Sequence, residues 1–138
     1  MAAPVLPKKI AARQHEITAD YMALLDRHLA DVVAGRVERM HEIRDLADEL
    51  HIHPTHLSNT IRLTTGQSPC YFFEAKIMDM ARQLLLDPGR SVASIATLLT
   101  FDPSNFTKFF KRFQGTTPRQ YREEQWAIQR QKTEAVTS

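Results

Sequence analysis

The amino-acid sequence predicts an all-α protein in which two helix-turn-helix units are joined by a long helix. Apolar side chains recur at three- and four-residue intervals over most of the chain, the spacing that places them on one face of a helix. No segment shows the alternation of apolar and polar residues that is typical of a strand. The sequence also repeats itself at a constant offset of 49 residues, so one structural unit is expected to occur twice.

The chain is predicted to open with a flexible tail and one long helix. Residues 1–14 hold two prolines, two adjacent lysines and no apolar period, which favours a segment without packed structure. The helical period begins at Thr18, continues through Val33 and stops at Gly35, a residue type that commonly ends helices.

Two copies of the repeat begin near residues 43 and 92 and align without a gap over about thirty positions. Apolar positions match in kind, and several small or conformationally special residues are identical, so chance does not explain the pattern. The identical pairs include Ala47 with Ala96, Leu50 with Leu99, Pro54 with Pro103, Gly66 with Gly115 and Pro69 with Pro118.

Each copy is predicted to form two short helices with a tight turn between them. The first helix carries apolar residues at i, i+3, i+4 and i+7, beginning at Ile43 in the first copy. The turns fall at residues 51–53 and 100–102, and a proline suited to the first helical position follows each turn. Asp102 is a good N-cap for its helix, whereas His53 is a poorer one. The second helices are predicted over residues 54–64 and 103–113.

A long helix from Ser68 to Asp87 is predicted to join the units as a rod of roughly 28 Å. A last helix starts at Pro118 and frays into a polar tail. The predicted organisation is a tail at 1–14, the first unit with the linker helix at 15–86, the second unit at 87–128 and a tail at 129–138.

Composition excludes several classes of protein. The chain is 43% apolar and 25% charged, and four glycines and seven prolines exclude collagen-like and low-complexity sequences. The apolar runs are too short for a transmembrane helix, and the first nine residues lack the hydrophobic stretch of a secretory signal. The single cysteine cannot form an internal disulfide. We therefore expect a cytoplasmic protein with no membrane partner.

The net charge of +2 is unevenly distributed. Residues 15–51 hold nine acidic residues against four arginines, a local balance of −5. Residues 103–122 hold five cations and no acidic residue. This segregation indicates an anionic partner on one side of the molecule, although a solvated basic face without a partner has the same composition.

The exposed faces of the second helices are the candidate binding surface. In a helix-turn-helix unit the second helix enters the major groove of DNA, whose phosphates and base acceptors favour a polar, cationic surface. In both copies the face opposite the apolar stripe contains no acidic residue. Its residues are Thr55, Ser58, Asn59 and Arg62 in the first copy and Ser104, Thr107, Lys108 and Lys111 in the second.

The stretch from Ile43 to Arg122 resembles the DNA-binding domain of AraC/XylS-type bacterial transcription regulators. The strongest match runs from Ser91 to Arg122, with an Ile-Ala pair, an aromatic turn residue, a Phe-Lys-Arg run, Gly-x-Thr-Pro and a final Tyr-Arg. The resemblance implies a homeodomain-like tandem repeat that binds double-stranded DNA and regulates transcription, with RNA polymerase as a further partner. Most members also carry a ligand-sensing domain, which residues 1–40 are too short to form. The chain therefore resembles the small stand-alone members or is a piece of a longer regulator.

Three features depart from the family pattern. The turn position usually held by glycine is Thr100, where a positive φ strains a residue with a side chain. Arginine is frequent in the family where this chain has Asn59 and Lys108, so its base preference is expected to differ. Thr60 and Thr64 stand where the second copy has phenylalanines, which predicts a thinner core in the first unit.

Bases are predicted to be read near the beginnings of the second helices, and phosphates to be contacted further along. The amide of Asn59 matches adenine N6 and N7, and the ammonium of Lys108 matches guanine O6 and N7. The predicted base readers are Thr55, Ser58, Asn59, Ser104, Asn105, Thr107 and Lys108. Arg62 and His56 can reach a base edge or a phosphate. The predicted phosphate contacts are Lys111, Arg112 and Arg119.

Other functions have weaker support in the sequence. His51, His53 and His56 form a string with metal-ligand spacing, but the second copy has ordinary turn and groove-facing residues there, so no metal site is expected. Cys70 opens the long helix without an adjacent base, so no redox role is expected. No phosphate loop, carboxylate pair or nucleophile triad is present, so we expect neither an enzyme nor a cofactor, and no small-molecule site is evident. Two alternatives stay open, a helical protein-binding adaptor and a nonspecific nucleoid-type DNA binder.

Overall fold

The computed structural model describes residues 8–137 of the chain, with side chains over 12–135. This part contains helices and no strand, so the all-α prediction is confirmed. The helices are α1 (Lys8–Val33), α2 (Ile43–Glu49), α3 (Pro54–Thr65), α4 (Pro69–Leu85), α5 (Val92–Leu98), α6 (Pro103–Gln114) and α7 (Pro118–Thr137). The first unit holds α2 and α3, the second holds α5 and α6, and α4 joins them.

The two outer helices are longer than the sequence pattern predicts. The tail expected at 1–14 needs correction over 8–14, which belong to α1, while residues 1–7 lie outside the described part. The tail expected at 129–138 needs the same correction over 129–137, which belong to α7. Both stretches contain alanine, arginine, lysine and glutamine, which are good helix formers, and lack proline and glycine, so a helix can extend through them without an apolar stripe.

The turn between the two helices of each unit is a Schellman motif. The N–H of Ile52 donates to the carbonyl oxygen of Ala47 at 3.0 Å, and the equivalent bond in the second unit is 2.8 Å long. The residue before the donor has positive φ in both units, 57° at His51 and 66° at Thr100. The strain expected at Thr100 is therefore present, and His51 has it too.

Side-chain caps start the second helix of each unit. Asp102 accepts hydrogen bonds from the N–H groups of Ser104 at 3.1 Å and Asn105 at 3.4 Å. His53, the poorer cap by sequence, accepts one bond through Nδ1 from the N–H of Thr55 at 3.2 Å. The two helices therefore begin at equivalent places in the repeat.

One hydrophobic core runs through both units. Helix α4 lies between them and buries Ile77, Met78, Ala81 and Leu85. Because side chains from both units belong to the same core, the structure fixes how the units are placed relative to each other.

Helix α1 completes the thin core of the first unit. Thr60 is 2% exposed, and the hydroxyl of Thr64 lies 2.7 Å from the hydroxyl of Thr18 on α1. Tyr21 of α1 is fully buried and donates a hydrogen bond to the carbonyl oxygen of Pro69 at 3.0 Å, and burial raises the pKa of its phenol. Helix α1 thus supplies the apolar volume that the threonines of α3 lack.

Candidate nucleic-acid interface

Helices α3 and α6, called the recognition helices below, each bury one face and leave the opposite face in solvent. The buried residues include Leu57 and Ile61 in α3 and Phe106 and Phe110 in α6. The residues predicted to meet DNA are all accessible. Those exposed are Thr55, His56, Asn59, Arg62, Ser104, Asn105, Lys108, Lys111, Arg112 and Arg119, and Ser58 and Thr107 are half-buried. Their contacts with DNA stay predictions.

Asn59 and Lys108 occupy equivalent places on the two recognition helices. Within residues 12–135 no hydrogen bond or ion pair engages either side chain. Thr107 differs, because its hydroxyl donates to the carbonyl oxygen of Pro103 at 3.1 Å and keeps only an acceptor for a base. The amide and the ammonium are therefore the groups best placed to donate or accept in a major groove.

The three predicted phosphate contacts have different surroundings. Lys111 is exposed on α6, and Arg119 lies at the start of α7 beside a groove of about 530 Å³ that Thr107 also lines. Arg112 points toward α4, where its guanidinium lies 3.9 Å from the carboxylate of Glu74. Its side chain is still 66% exposed, so it keeps donors for a phosphate.

Phe106, Phe109, Phe110 and Phe113 are spaced at i, i+3, i+4 and i+7 along α6 and are expected to pack inward, but the last of them does not. Phe113 is 42% exposed, and its ring centroid lies 4.9 Å from that of Phe109. The guanidinium of Arg112 lies 4.9 Å from the Phe113 centroid, a cation–π arrangement. The end of α6 is tied to α4 by a 2.7 Å hydrogen bond from Arg82 to Gln114 and by the pairing of Arg112 with Glu74.

Arg122 does not belong to the free basic surface, although the sequence places it in the cationic segment. Its guanidinium donates to the carbonyl oxygens of Leu85 at 2.8 Å and Arg90 at 2.5 Å. It also lies 5.2 Å from the ring centroid of Trp126. Sequence reasoning missed this role, and the only signal for it was the Tyr-Arg pair in the family match.

The linker helix sets the distance between the units. Helix α4 has 17 residues and is therefore about 25 Å long, somewhat less than the length predicted from Ser68 to Asp87. The span is shorter than the ~34 Å between successive major grooves on one side of a duplex.

The remaining sequence candidates have ordinary structural surroundings. His53 caps α3, and across the described residues no group of three or more His, Cys, Asp or Glu side chains is arranged to hold a metal ion. Cys70 is exposed in the first turn of α4. None of the helices in residues 8–137 is long and apolar enough to cross a membrane.

Comparison with known families decides the classification. The family model described as a helix-turn-helix domain, of the AraC type, matches residues 46–124. This chain belongs to the AraC-type helix-turn-helix family. The family and the fold are those of DNA-binding transcription regulators and not those of enzymes.

Individual relatives of this AraC-type chain are regulators and DNA-binding domains. It is 30% identical over 81 residues to YobQ of Bacillus subtilis, an uncharacterized HTH-type transcriptional regulator, and the match covers 58% of the chain and 34% of that protein. The chain thus spans about a third of this relative.

Solved structures share the fold. The C-terminal domain of AraT, a response regulator from Geobacillus stearothermophilus, superposes with a TM-score of 0.68 at 24% identity, covering 78% of this chain and 84% of that domain. The DNA-binding domain of AdpA, a global transcriptional factor solved in complex with a target DNA, superposes with a TM-score of 0.62 at 25% identity, covering 75% and 97%.

Proposed function

We propose that this AraC-type chain binds double-stranded DNA sequence-specifically as a monomer, places its recognition helices in two successive major grooves, and regulates transcription. The observation that carries the proposal is the presentation of two equivalent, acid-free recognition faces from one shared core. A tandem repeat in one chain needs no second copy to contact two grooves, so the site need not be a palindrome.

Bending of the DNA belongs to the same proposal. The grooves repeat at ~34 Å, whereas the two units are joined by a helix of about 25 Å. Because the shared core holds the units in place, the duplex is the partner that adapts. Bending by a few tens of degrees lies within what DNA-binding proteins impose.

We also propose where the chain acts and what else it contacts. With DNA as the target, the proposed location is the cytoplasm, and RNA polymerase is the proposed second partner. The acid-rich surface of α1 and α2 lies outside the recognition faces and is the proposed contact. Replacing Asp20, which is exposed on α1, with asparagine should lower regulated transcription while DNA affinity is unchanged.

Selection of bound sequences from a random duplex pool, followed by footprinting, tests the function. We expect an enriched site about two half-sites long, protected in two grooves about 10 base pairs apart, with one chain bound to each duplex. A footprint in a single groove, or binding only as a dimer, would contradict the proposed architecture. No enrichment with equal affinity for all duplexes indicates a nonspecific binder, and no binding at all indicates a protein-binding adaptor.

A further inference from the structure

The two units of the chain have opposite net charge, although they are copies of one another. Residues 42–70 contain four acidic residues and two arginines, a balance of −2. The equivalent residues, 91–119, contain one acidic residue and four cations, a balance of +3. Because the positions correspond one to one, the difference is not a matter of where the boundaries are drawn.

One part of the contrast lies along the end of the recognition helix and the start of the next helix. Three positions in the second unit carry cations, Lys111, Arg112 and Arg119, and all three are exposed. The equivalent residues of the first unit are Arg62, Leu63 and Cys70, all of them exposed as well. Leu63 is 57% exposed, so an apolar side chain stands in solvent where the second unit has a guanidinium.

The first helix of each unit increases the contrast. Helix α2 and its N-cap carry four carboxylates, of which three are exposed and one is half-buried. The equivalent residues around α5 are uncharged, so the carboxylates of the first helix lower the electrostatic potential beside the first recognition helix and have no counterpart in α5. The carboxylates are Glu42, Asp45, Asp48 and Glu49, and their counterparts are Ser91, Ser94, Thr97 and Leu98.

The charge at these positions contributes to the affinity of the protein for DNA of any sequence. Each phosphate that a cation neutralises contributes about 0.9 to the slope of log affinity against log salt. Over a fourfold change of salt, one such contact therefore changes affinity about 3.5-fold. At these positions the second unit has three exposed cations and the first unit has one. The second unit is therefore the main source of sequence-independent affinity.

We propose that the second unit anchors the chain to any duplex through Lys111, Arg112 and Arg119, and that the first unit adds affinity only where the bases match its recognition helix. This division rests on the proposed DNA-binding function and specifies how each unit contributes to it. The first unit, with few cations and adjacent carboxylates, depends on base contacts from residues such as Asn59 to remain in its groove.

Salt-dependent binding to an unrelated duplex between 50 and 200 mM salt separates the two contributions. The variant K111Q/R112Q/R119Q should lower the salt slope by about 3, and the matched first-unit variant R62Q by about 1 or less. L63R, which places in the first unit the charge of the second, should raise the slope by about 1. Thermal unfolding of each variant checks that the chain is folded, and the gain expected for L63R does not depend on any loss of structure.

The selected site supplies the second measurement. Scrambling the half-site under the first unit should remove most of the specificity, leaving the base contacts of the second unit such as Lys108, while the salt slope changes by less than about 1. Equal slope losses for R62Q and the triple variant, or a scrambled first half-site that keeps most of the specificity, would overturn the division of roles. Failure of the wild-type chain to bind any duplex would instead overturn the proposed function.

Discussion

The guanidinium of Arg122 on the last helix donates a 2.8 Å hydrogen bond to the carbonyl oxygen of Leu85, the final residue of α4. A helix leaves its last carbonyls without partners, and Arg122 supplies charge-assisted donors to this end and to the turn that leads into α5. Trp126 adds a 3.3 Å bond to the carbonyl oxygen of Leu86. Helix α7 therefore braces the junction between the linker helix and the second unit.

Replacing Arg122 tests this brace. R122A should lower the free energy of unfolding by about 1.5–3 kcal/mol, because part-buried carbonyls lose charge-assisted partners. R122K should recover only part of the loss, since a single nitrogen replaces the separate Nε and Nη2 donors that reach the carbonyls of Leu85 and Arg90. Urea unfolding measures both variants. R119A, which removes an exposed arginine of the same helix, is the control and should change stability by less than about 0.5 kcal/mol. Equal effects of R122A and R119A would refute the brace.

The two strained turns offer a prediction of the opposite sign. T100G should raise the free energy of unfolding by about 0.5–1 kcal/mol, because a left-handed backbone is costly for a β-branched residue. The strain energy that glycine relieves is expected to exceed the entropy that glycine adds to the unfolded chain. H51G should act in the same direction. The matched control T97G places glycine inside α5 and should lower stability by a few tenths of a kcal/mol. Destabilisation by T100G in urea unfolding would show that the threonine side chain makes contacts worth more than the strain.

Stability is predicted to fall in mild acid because of His28. This imidazole is 5% exposed, accepts a 2.9 Å hydrogen bond from the N–H of His41 at Nε2, and stacks on the His41 ring with centroids 4.2 Å apart. Burial lowers the pKa of His28 from its ordinary 6.5, and His41 lowers it further, against the opposing carboxylates of Glu49, Asp31 and Asp45.

The direction of the pH effect follows from linkage. The unfolded chain takes up the proton more readily than the folded chain, so this contribution to stability is complete above pH 6.5 and is lost as the pH falls through that value. Urea unfolding between pH 8 and 5 should show a smaller decline in the free energy of unfolding for H28Q than for wild type. The amide oxygen of glutamine can accept the hydrogen bond from His41 without titrating. H15Q, at an exposed histidine of α1, should keep the wild-type profile. Matching profiles for wild type and H28Q would exclude His28 as the cause.

Base reading is tested with the selected site and each of its single-base variants. N59A and K108A should each make one position of the site more tolerant, with a loss of discrimination of roughly 1–3 kcal/mol, or about 5- to 150-fold in affinity. Uniform weakening across all sequences by both variants would show that these side chains only position the helices on phosphates.

The repeat in the sequence predicts the number, order and turns of the helices in both units because each turn depends on local residues such as Pro54 and Gly66. It does not show that α1 starts at Lys8, since that segment is helical by intrinsic propensity and has no apolar period. The role of Arg122 depends on carbonyls more than thirty residues away, so local pattern counts it as one more surface cation. Phe113 matches the inward stripe, yet it lies where α6 runs past the edge of the core.

The shared core of the two units has a consequence for the DNA sites that the chain can use. One extra base pair between half-sites moves the second by about 3.4 Å along the duplex and about 35° around it. A protein with a flexible linker absorbs such a change by swivelling, whereas here Met78, Ala81 and Leu85 would have to leave their packing. Under the proposed function, spacing is therefore as much a part of the operator as its bases, and a correct pair of half-sites at the wrong separation is bound as one half-site.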